Sequence, residues 1–308
     1  MEKIEIFCCG KMETKQWKKT YIDQLTRKEE KGMGVYRDMD TSYTDKDLRY
    51  YTQLTAFLNK REDDLSDKLC GKYEYKFNQV EGKLHGIMVS SNGEKIFTLR
   101  SDLFGFSAPE LNWREKNNFT PYELYLMQNC NEQNSVETVV EWIMNTRTLG
   151  GAFLWPIKRY IGKYRTQHKT QYNLTRGGHI PQIKRQYIQD RVDLTLLEIK
   201  HSYDAEYGTQ YTSDLLYNQY QDSSNHIQEW LQHFKNFPTY VEFFCLDGFV
   251  DKDSYMPWDL VALEHGELCD NARSNQGITE ETNIQEMCNF LAGKIKERSE
   301  KMRVILRK

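Results

Sequence analysis

The chain has 308 residues, of which 42 are Lys or Arg and 45 are Asp or Glu, so its formal net charge is −3. This length can bury a large core, and the near-neutral charge excludes a protein that coats nucleic acid through bulk charge alone. The aromatic content of 13% argues against global disorder. Composition therefore indicates a folded, aromatic-rich protein and leaves its function open.

Seven cysteines occur at irregular spacing without any C-x-x-C pattern, so neither a structural zinc site nor a dithiol redox motif is predicted. Free thiols are typical of a reducing compartment. The first residues lack the apolar core of a signal peptide, and no apolar run reaches the roughly 18 residues of a membrane helix. We therefore expect a cytoplasmic protein with no membrane partner.

Residues 1–35 are predicted to form an N-terminal extension. A helix is predicted in the residues that follow it. Apolar residues recur at three- and four-residue steps from Asp45 to Leu58, which indicates a helix. The charged run from Arg61 to Lys68 is typical of a solvated face or a loop.

Residues 72–104 alternate apolar and polar side chains, which is the period of a β-strand. Asn92–Gly93, between two of these runs, is the strongest short hairpin signal in the chain. A further apolar run follows Gly150–Gly151 and is predicted to be a strand that Pro156 ends. The sequence therefore predicts an antiparallel β-meander.

Helices are predicted over much of the remaining chain. They are Val136–Asn145, Ile188–Tyr203, a pair within Tyr211–Phe237 that ends at Pro238, and a C-terminal helix within residues 278–308. Together the elements predict an α+β fold, a central antiparallel β-meander or mixed sheet packed with helices, in a single domain spanning 1–308.

Several motifs in order along residues 100–260 resemble an uncharacterised bacterial family, a domain of unknown function of about this length. They are Ser101-Asp102, Thr148-Leu149-Gly150-Gly151 with Pro156, Asn173-x-x-Arg176-Gly177, Ile188-x-Asp190-Arg191-x-Asp193-Leu194-Thr195-Leu196, Tyr240-Val241-Glu242-Phe243-Phe244 and Pro257-x-Asp259. Tyr51 stands where members of the family place His, and Glu242 where they place Asp. Since the family has no established activity, the resemblance implies a bacterial setting and candidate residues but no reaction.

The loop from Asn173 to His179 is the first candidate for ligand binding. Its two glycines, beginning at Gly177, let the backbone approach a ligand closely. Arg176 offers a planar fork suited to phosphate, and Asn173 adds an orientable amide. The loop therefore suits the phosphates of a dinucleotide or a nucleic acid, or is an ordinary turn with an exposed Arg.

Two acids at the head of a predicted helix form a second candidate. Asp190 and Asp193 lie three residues apart and so share a helix face, where they either orient Arg176 in a pocket or cap the helix. Asp193, Glu198 and Lys200 also resemble the metal-and-lysine trio of a nuclease. That trio needs a strand, whereas the period here is helical.

His85–Gly86, on a predicted strand, is similar to the His-Gly step of one branch of the ADP-ribosyltransferases. That resemblance implies NAD as cofactor, aromatic residues around its nicotinamide ring, and an acid that stabilises the oxocarbenium-like charge of the transition state. The candidate acids are Glu242 and Asp102, and the candidate aromatic residues are Tyr73, Tyr75, Phe153 and Trp155. The alternative is that His85 is a structural histidine of the meander.

The leading functional hypothesis is a bacterial effector or toxin-like enzyme that uses NAD as an ADP-ribosyltransferase, in a toxin–antitoxin or phage-defence setting. Its expected target is nucleic acid or protein, and its expected partner an antitoxin or a chaperone. The alternatives are a metal-dependent nuclease and a non-catalytic module that binds nucleic acid or protein. The hypothesis assigns catalysis to Arg176, Asp190, Asp193, Glu242 and His85, and cofactor binding to Gly150, Gly151, Asn173, Arg176, Gly177 and Trp155, with no metal.

Overall fold

A computed structural model of the protein describes residues 43–80, 83–91, 94–103, 130, 133–146, 148–158, 192–204, 230–260, 262–263, 266–269 and 283–308. Within these residues the helices are α1 Tyr43–Asp64, α2 Gln133–Thr146, α3 Val192–Tyr203, α4 Phe237–Phe243 and α5 Ile284–Arg307. The strands are β1 Tyr73–Val80, β2 Lys83–Ser91, β3 Glu94–Leu103 and β4 Ala152–Lys158. Short 3-10 turns lie at Ser66–Lys68, Leu149–Gly151 and Asp247–Phe249. The described part of the chain is therefore a mixed structure of helices and an antiparallel sheet.

The four described strands form one antiparallel sheet in chain order, β1-β2-β3-β4. The strand alternation thus confirms the predicted meander, although Asn92–Gly93 themselves lie outside the described residues. Tyr75 pairs with Val89 in register, and Ile87 lies two residues earlier on the same face. All three side chains are buried, so this face of the sheet packs on the core.

Two prolines lie inside elements that we expected them to end. Pro156 lies within β4, which continues to Lys158 at the edge of the described sheet, where proline is tolerated. Pro238 lies in the first turn of α4, where its missing N–H has no helical partner to lose. Both predictions were therefore wrong. Residues 211–229 of the predicted helix pair lie outside the described residues.

The C-terminal helix α5 holds the core together. It packs against α2, against the Leu149–Gly151 turn and against α1. Buried hydrophobic side chains from all five helices and from the sheet join one cluster, which includes Leu54, Val89, Trp142, Ile199, Phe243 and Leu291. The prediction of a single domain over 1–308 is not tested by the described residues.

The charged run Arg61–Lys68 forms the expected solvated face and turn only in part, since Asp63, Asp64 and the turn Ser66–Lys68 are exposed. Helix α1 continues through it to Asp64, and two of its charged residues are buried: Arg61 is 8% exposed and Glu62 is 1% exposed. Burial of charges at these levels requires partners, since an unpaired buried charge is strongly destabilising. Both residues have partners more than 170 positions later in the chain, and Glu62 also accepts hydrogen bonds from the nearby Tyr73 and Tyr75.

Candidate functional site

An open groove of about 1350 Å³ lies between α4 and the C-terminal half of α5. One wall consists of Pro238, Val241, Glu242 and Cys245, and the other of Glu297, Glu300, Lys301 and Val304. Both sets follow the spacing i, i+3, i+4, i+7, so each wall presents the side chains of one helix face. We call this feature the α4–α5 groove.

Two further segments complete the α4–α5 groove. Asp67 and Lys68 come from the 3-10 turn after α1, and Lys235 and Asn236 come from the residues before α4. The Lys235 ammonium group donates a hydrogen bond to the backbone carbonyl of Asp67 at 2.7 Å, which joins the two segments. We call these four residues the side wall of the groove.

Backbone strain is concentrated at this groove. Within the described residues, the non-glycine residues with positive φ are Lys235 (φ 53°), Cys245 (φ 54°) and Tyr255 (φ 57°), and all three line the groove. A left-handed conformation costs a residue with a Cβ atom roughly 1–2 kcal/mol. Such conformations persist where the surrounding structure enforces them, and they cluster at functional sites.

The strain at Cys245 follows from how α4 ends. The amide of Leu246 donates to the carbonyl of Val241 at 2.8 Å, and the amide of Cys245 donates to that of Glu242 at 3.2 Å. This pair of bonds is the Schellman motif, whose left-handed position is usually glycine. Here cysteine occupies that position and brings its side chain into the lining of the groove.

Two buried arginines fix the end of α4 in place. Arg61 of α1 donates to the carbonyl of Phe243 at 3.2 Å and to that of Glu242 at 2.8 Å. Arg298 of α5 donates to the carbonyl of Phe244 at 2.8 Å. Positive groups at a helix C-terminus interact favourably with its dipole, so these guanidinium groups stabilise the wall that carries Glu242 and Cys245.

The rim of the groove carries charges of both signs in nearly equal number. Its four lysines are Lys68, Lys235, Lys296 and Lys301, and its five carboxylates are Asp67, Glu242, Asp247, Glu297 and Glu300. Lys68 pairs with Glu242 at 2.7 Å, and Lys301 pairs with Asp247. The hydrogen bond to Glu242 raises the pKa of Lys68. Because the charges balance, the rim does not attract a polyanion preferentially.

The lining of the groove also contains apolar residues. Its apolar lining comes from Pro238, Val241, Cys245, Tyr255, Val304 and Ile305. Burial raises the pKa of the Cys245 thiol, so this group is a neutral thiol at pH 7 rather than a nucleophilic thiolate. Val304 is 46% exposed and is the exposed large hydrophobic side chain among the described residues.

Of the predicted site residues, Glu242 lies on the α4–α5 groove, where its carboxylate is half-exposed and paired with Lys68. Gly150 and Gly151 are buried in the turn before β4, beneath α5. The amide of Gly150 donates to the Ser299 hydroxyl at 2.9 Å, and its carbonyl accepts from Arg298. These contacts give Gly150 a packing role, and its predicted role in cofactor binding stays a prediction.

Asp193 is an internal anchor of the fold. It is 2% exposed and accepts hydrogen bonds from the amide of Leu260 at 2.9 Å and from the thiol of Cys269 at 3.7 Å. These bonds attach Leu260 and Cys269 to α3. The helical backbone around it also places Glu198 and Lys200 about 200° apart on the helix, which is not the strand arrangement of the nuclease trio.

The other predicted site residues are described in part or not at all. His85 lies in β2 beside a register shift in its pairing with β1, and Trp155 lies in β4 opposite Arg100; the structure describes only their backbone. Arg176, Asp190, Asn173 and Gly177 lie outside the described residues. The predicted pocket around Arg176 therefore stays a prediction.

Sequence reasoning missed the three strained residues of the groove and the buried pair formed by Glu62 and His233. Lys235, Cys245 and Tyr255 carry no glycine or asparagine signal for a left-handed turn.

In the part of the chain that the structure describes, no group of three or more His, Cys, Asp or Glu side chains could hold a metal ion. None of the described helices is both long and apolar enough to cross a bilayer.

The fold and site define a mixed protein of helices and an antiparallel sheet, with a strained, charge-rimmed groove between two helices. The chain belongs to a family of unknown function, DUF6994, whose model matches residues 67–282. This match confirms the resemblance to an uncharacterised family that the motifs indicated. No curated protein and no solved structure matches the chain. The matched range contains α4 and the side wall of the groove, whereas α5 follows it.

Proposed function

We propose that the protein is a binding module whose α4–α5 groove holds an amphipathic helical segment of a partner protein. The observation that carries this proposal is that Lys235, Cys245 and Tyr255, each in a strained left-handed conformation, all line this one groove. Strain of about 1 kcal/mol or more at each position reduces the stability of the fold. A binding function gives a reason for its concentration at one surface.

The shape of the groove supports a helix as the occupant. Its two walls are the faces of α4 and of the C-terminal half of α5, and a third helix packs between two others by placing its side chains in the space between their ridges. At about 1350 Å³ the groove also exceeds the roughly 300–1000 Å³ of pockets that enclose small molecules. A segment of polypeptide therefore fits it better than a cofactor does.

The charges of the groove support a partner that carries both signs. An apolar stripe on the partner helix would cover Val241 and Val304, and flanking Lys and Glu residues would meet the mixed rim. A nucleic acid would instead bring its phosphates against five carboxylates as well as four lysines. Charge complementarity therefore favours the protein-binding form of the module.

Titration with a designed peptide tests this proposal. The probe is a synthetic peptide of about 18 residues, long enough to form a helix, with an apolar stripe flanked by alternating Lys and Glu. A peptide of the same composition with the stripe scrambled is its control. We expect saturable binding of the striped peptide only, and equal or absent binding of the two peptides would contradict the proposal.

Two matched variants of α5 locate the binding. Val304→Asp places a carboxylate at the exposed apolar end of the groove, and Asn289→Asp places one at an exposed position of the same helix outside the groove. Burying a valine contributes about 1.5 kcal/mol, so Val304→Asp should weaken peptide binding at least about tenfold. Asn289→Asp should bind as the wild type does.

NAD-dependent ADP-ribosyl transfer is a second candidate function, favoured by the position of Glu242. This predicted catalytic acid lies on the groove with Tyr255, an aromatic ring suited to stacking on a base. Nicotinamide release from NAD, followed in the wild type and in Glu242→Gln, tests this candidate. Release by the wild type that Glu242→Gln abolishes would support it, and no release by the wild type would end it.

A further inference from the structure

Glu62 and His233 form a fully buried pair behind the side wall of the groove. The Glu62 Oε1 atom lies 2.7 Å from His233 Nε2, and both side chains are 0% exposed. Glu62 also accepts a hydrogen bond from the hydroxyl of Tyr75 at 2.8 Å and from the amide of Tyr73 at 3.1 Å. The carboxylate therefore has three partners, from β1 and from the segment before α4.

The partners of His233 fix the number of protons on the pair. Its Nδ1 atom lies 3.1 Å from the carbonyl of Cys70, which can only accept, so Nδ1 carries a proton. A second proton must lie between Nε2 and Glu62 Oε1, because two lone pairs facing each other at 2.7 Å would repel. The pair thus shares one proton, and its net charge is zero whichever atom the proton is nearer.

The same histidine connects the two segments of the side wall. Its backbone carbonyl accepts from the amide of Cys70 at 2.8 Å while its ring donates to the Cys70 carbonyl, so the two residues bond reciprocally. The ring of Tyr73 stacks on the imidazole with centroids 3.8 Å apart. Lys68 lies two residues before Cys70 and Lys235 two residues after His233, so this contact sets the separation of the two segments.

We infer that Glu62 and His233 are positioning residues that set the geometry of the side wall formed by Asp67, Lys68, Lys235 and Asn236. Neither residue lines the groove, so each would act on a bound segment only through these four residues. The inference rests on the proposed function, because the position of the wall matters for binding only if the groove holds a partner.

Nuclear magnetic resonance of the imidazole ring in the full chain tests the shared proton directly. We expect a proton at Nδ1 of His233 and a strongly deshielded proton shared between Nε2 and Glu62 Oε1, both protected from exchange with solvent. The absence of the shared proton, or free exchange of either proton with solvent, would overturn the inference. This measurement needs no variant and no ligand.

Glu62→Gln tests the positioning, since it keeps the shape of the side chain and removes its charge. Asp63→Asn is the matched control, because Asp63 is the next residue of α1 and is exposed in a pair with Lys72. We expect Glu62→Gln to shift the backbone amide resonances of Lys68 and Lys235 and to weaken binding of the striped peptide at least fivefold. Asp63→Asn should change neither.

The double variant Glu62→Gln, His233→Gln replaces the pair with two neutral amides that can bond to each other. We expect it to recover part of the affinity lost in Glu62→Gln, which a general loss of stability would not allow. If Glu62→Gln shifts the amide resonances but the wild type does not bind the peptide, the positioning role stands and the proposed function is wrong. If the wild type binds the peptide and Glu62→Gln binds it equally well, the positioning role alone is contradicted.

Discussion

Arg298 of α5 donates a hydrogen bond to the carbonyl of Gly150 at a point where the two backbones are too close for any side chain between them. A Cβ atom on Gly150 would lie 2.3 Å from the carbonyl oxygen of Ile295 and 2.6 Å from the amide nitrogen of Ser299. The Gly-Gly step predicted to bind a cofactor is thus the surface on which the C-terminal helix rests. The position of α5, and with it one wall of the groove, depends on this contact.

Gly150→Ala should therefore destabilise the protein by about 3 kcal/mol, because the backbone of α5 must move to admit the methyl group. Gly293→Ala is the matched control on α5, where an added Cβ meets nothing within 4 Å. It should stabilise the protein by about 0.5–1 kcal/mol through the helix preference of alanine. Urea denaturation of the two variants checks this, and equal effects would contradict the close contact.

Arg298→Gln should cost about 3 kcal/mol or more in the free energy of unfolding. The buried guanidinium group donates to the carbonyls of Gly150, Ala152 and Phe244, and each buried acceptor left without a donor costs about 1–3 kcal/mol. Arg303→Gln, which removes a surface pair with Glu300 on the same helix, should cost less than about 1 kcal/mol. Thermal unfolding of both variants makes the comparison, and similar losses would argue against the buried role.

The backbone strain at Lys235 predicts an unusual order of stability for two variants of this residue. Both Lys235→Ala and Lys235→Gly remove the bond to Asp67, but only glycine adopts φ 53° without a steric penalty. The glycine variant should therefore be more stable than the alanine variant by about 1 kcal/mol. Lys252 is the control, because it is exposed and does not have a positive φ. Its glycine variant should be no more stable than its alanine variant. The reverse order at Lys235 would show that the strain is absent.

Alkaline pH should destabilise the fold through its buried tyrosines. Burial raises the pKa of Tyr75 and of Tyr240 above the ordinary value, and Glu62 raises that of Tyr75 further. In the unfolded chain both phenols ionise near pH 10, while the folded protein keeps their protons, so their stabilisation is complete below pH 10 and falls as the pH rises. The loss approaches about 1.4 kcal/mol per pH unit for each phenol.

Denaturation between pH 9 and pH 11 measures this slope. The variant Tyr240→Phe removes one of the two titrating groups, so its free energy of unfolding should fall less steeply above pH 10 than that of the wild type. An identical slope in the variant would show that Tyr240 does not contribute.

Periodicity and turn chemistry were enough to predict most of the described fold. The period of Asp45–Leu58 predicted α1, the alternation of residues 72–104 predicted the meander, and an amphipathic pattern predicted α5. Each of these signals is local, because it needs only residues that lie within one element. The predictions from the two prolines were wrong for the same reason. A proline such as Pro238 can lie at the end or at the beginning of a helix, and the local sequence does not distinguish the two.

The candidate site could not be predicted in the same way. Its lining residues lie far apart in the sequence, and only the folded chain brings Lys68, Glu242 and Lys301 to one groove. Glu62 looked like part of a solvated charged run because its partner, His233, lies 171 residues away. Glu242 was found from a family resemblance, which supplied the residue but neither its neighbours nor the groove.

A methyl NMR titration of the full chain with the striped peptide is the decisive experiment on whether the α4–α5 groove binds a helix. We expect the methyl resonances of Val241, Val304 and Ile305 to shift together and saturate, while those of Ile87 and Val89 in the sheet stay unchanged. Shifts confined to the sheet, or no shift at Val241 and Val304 at saturating peptide, would contradict it.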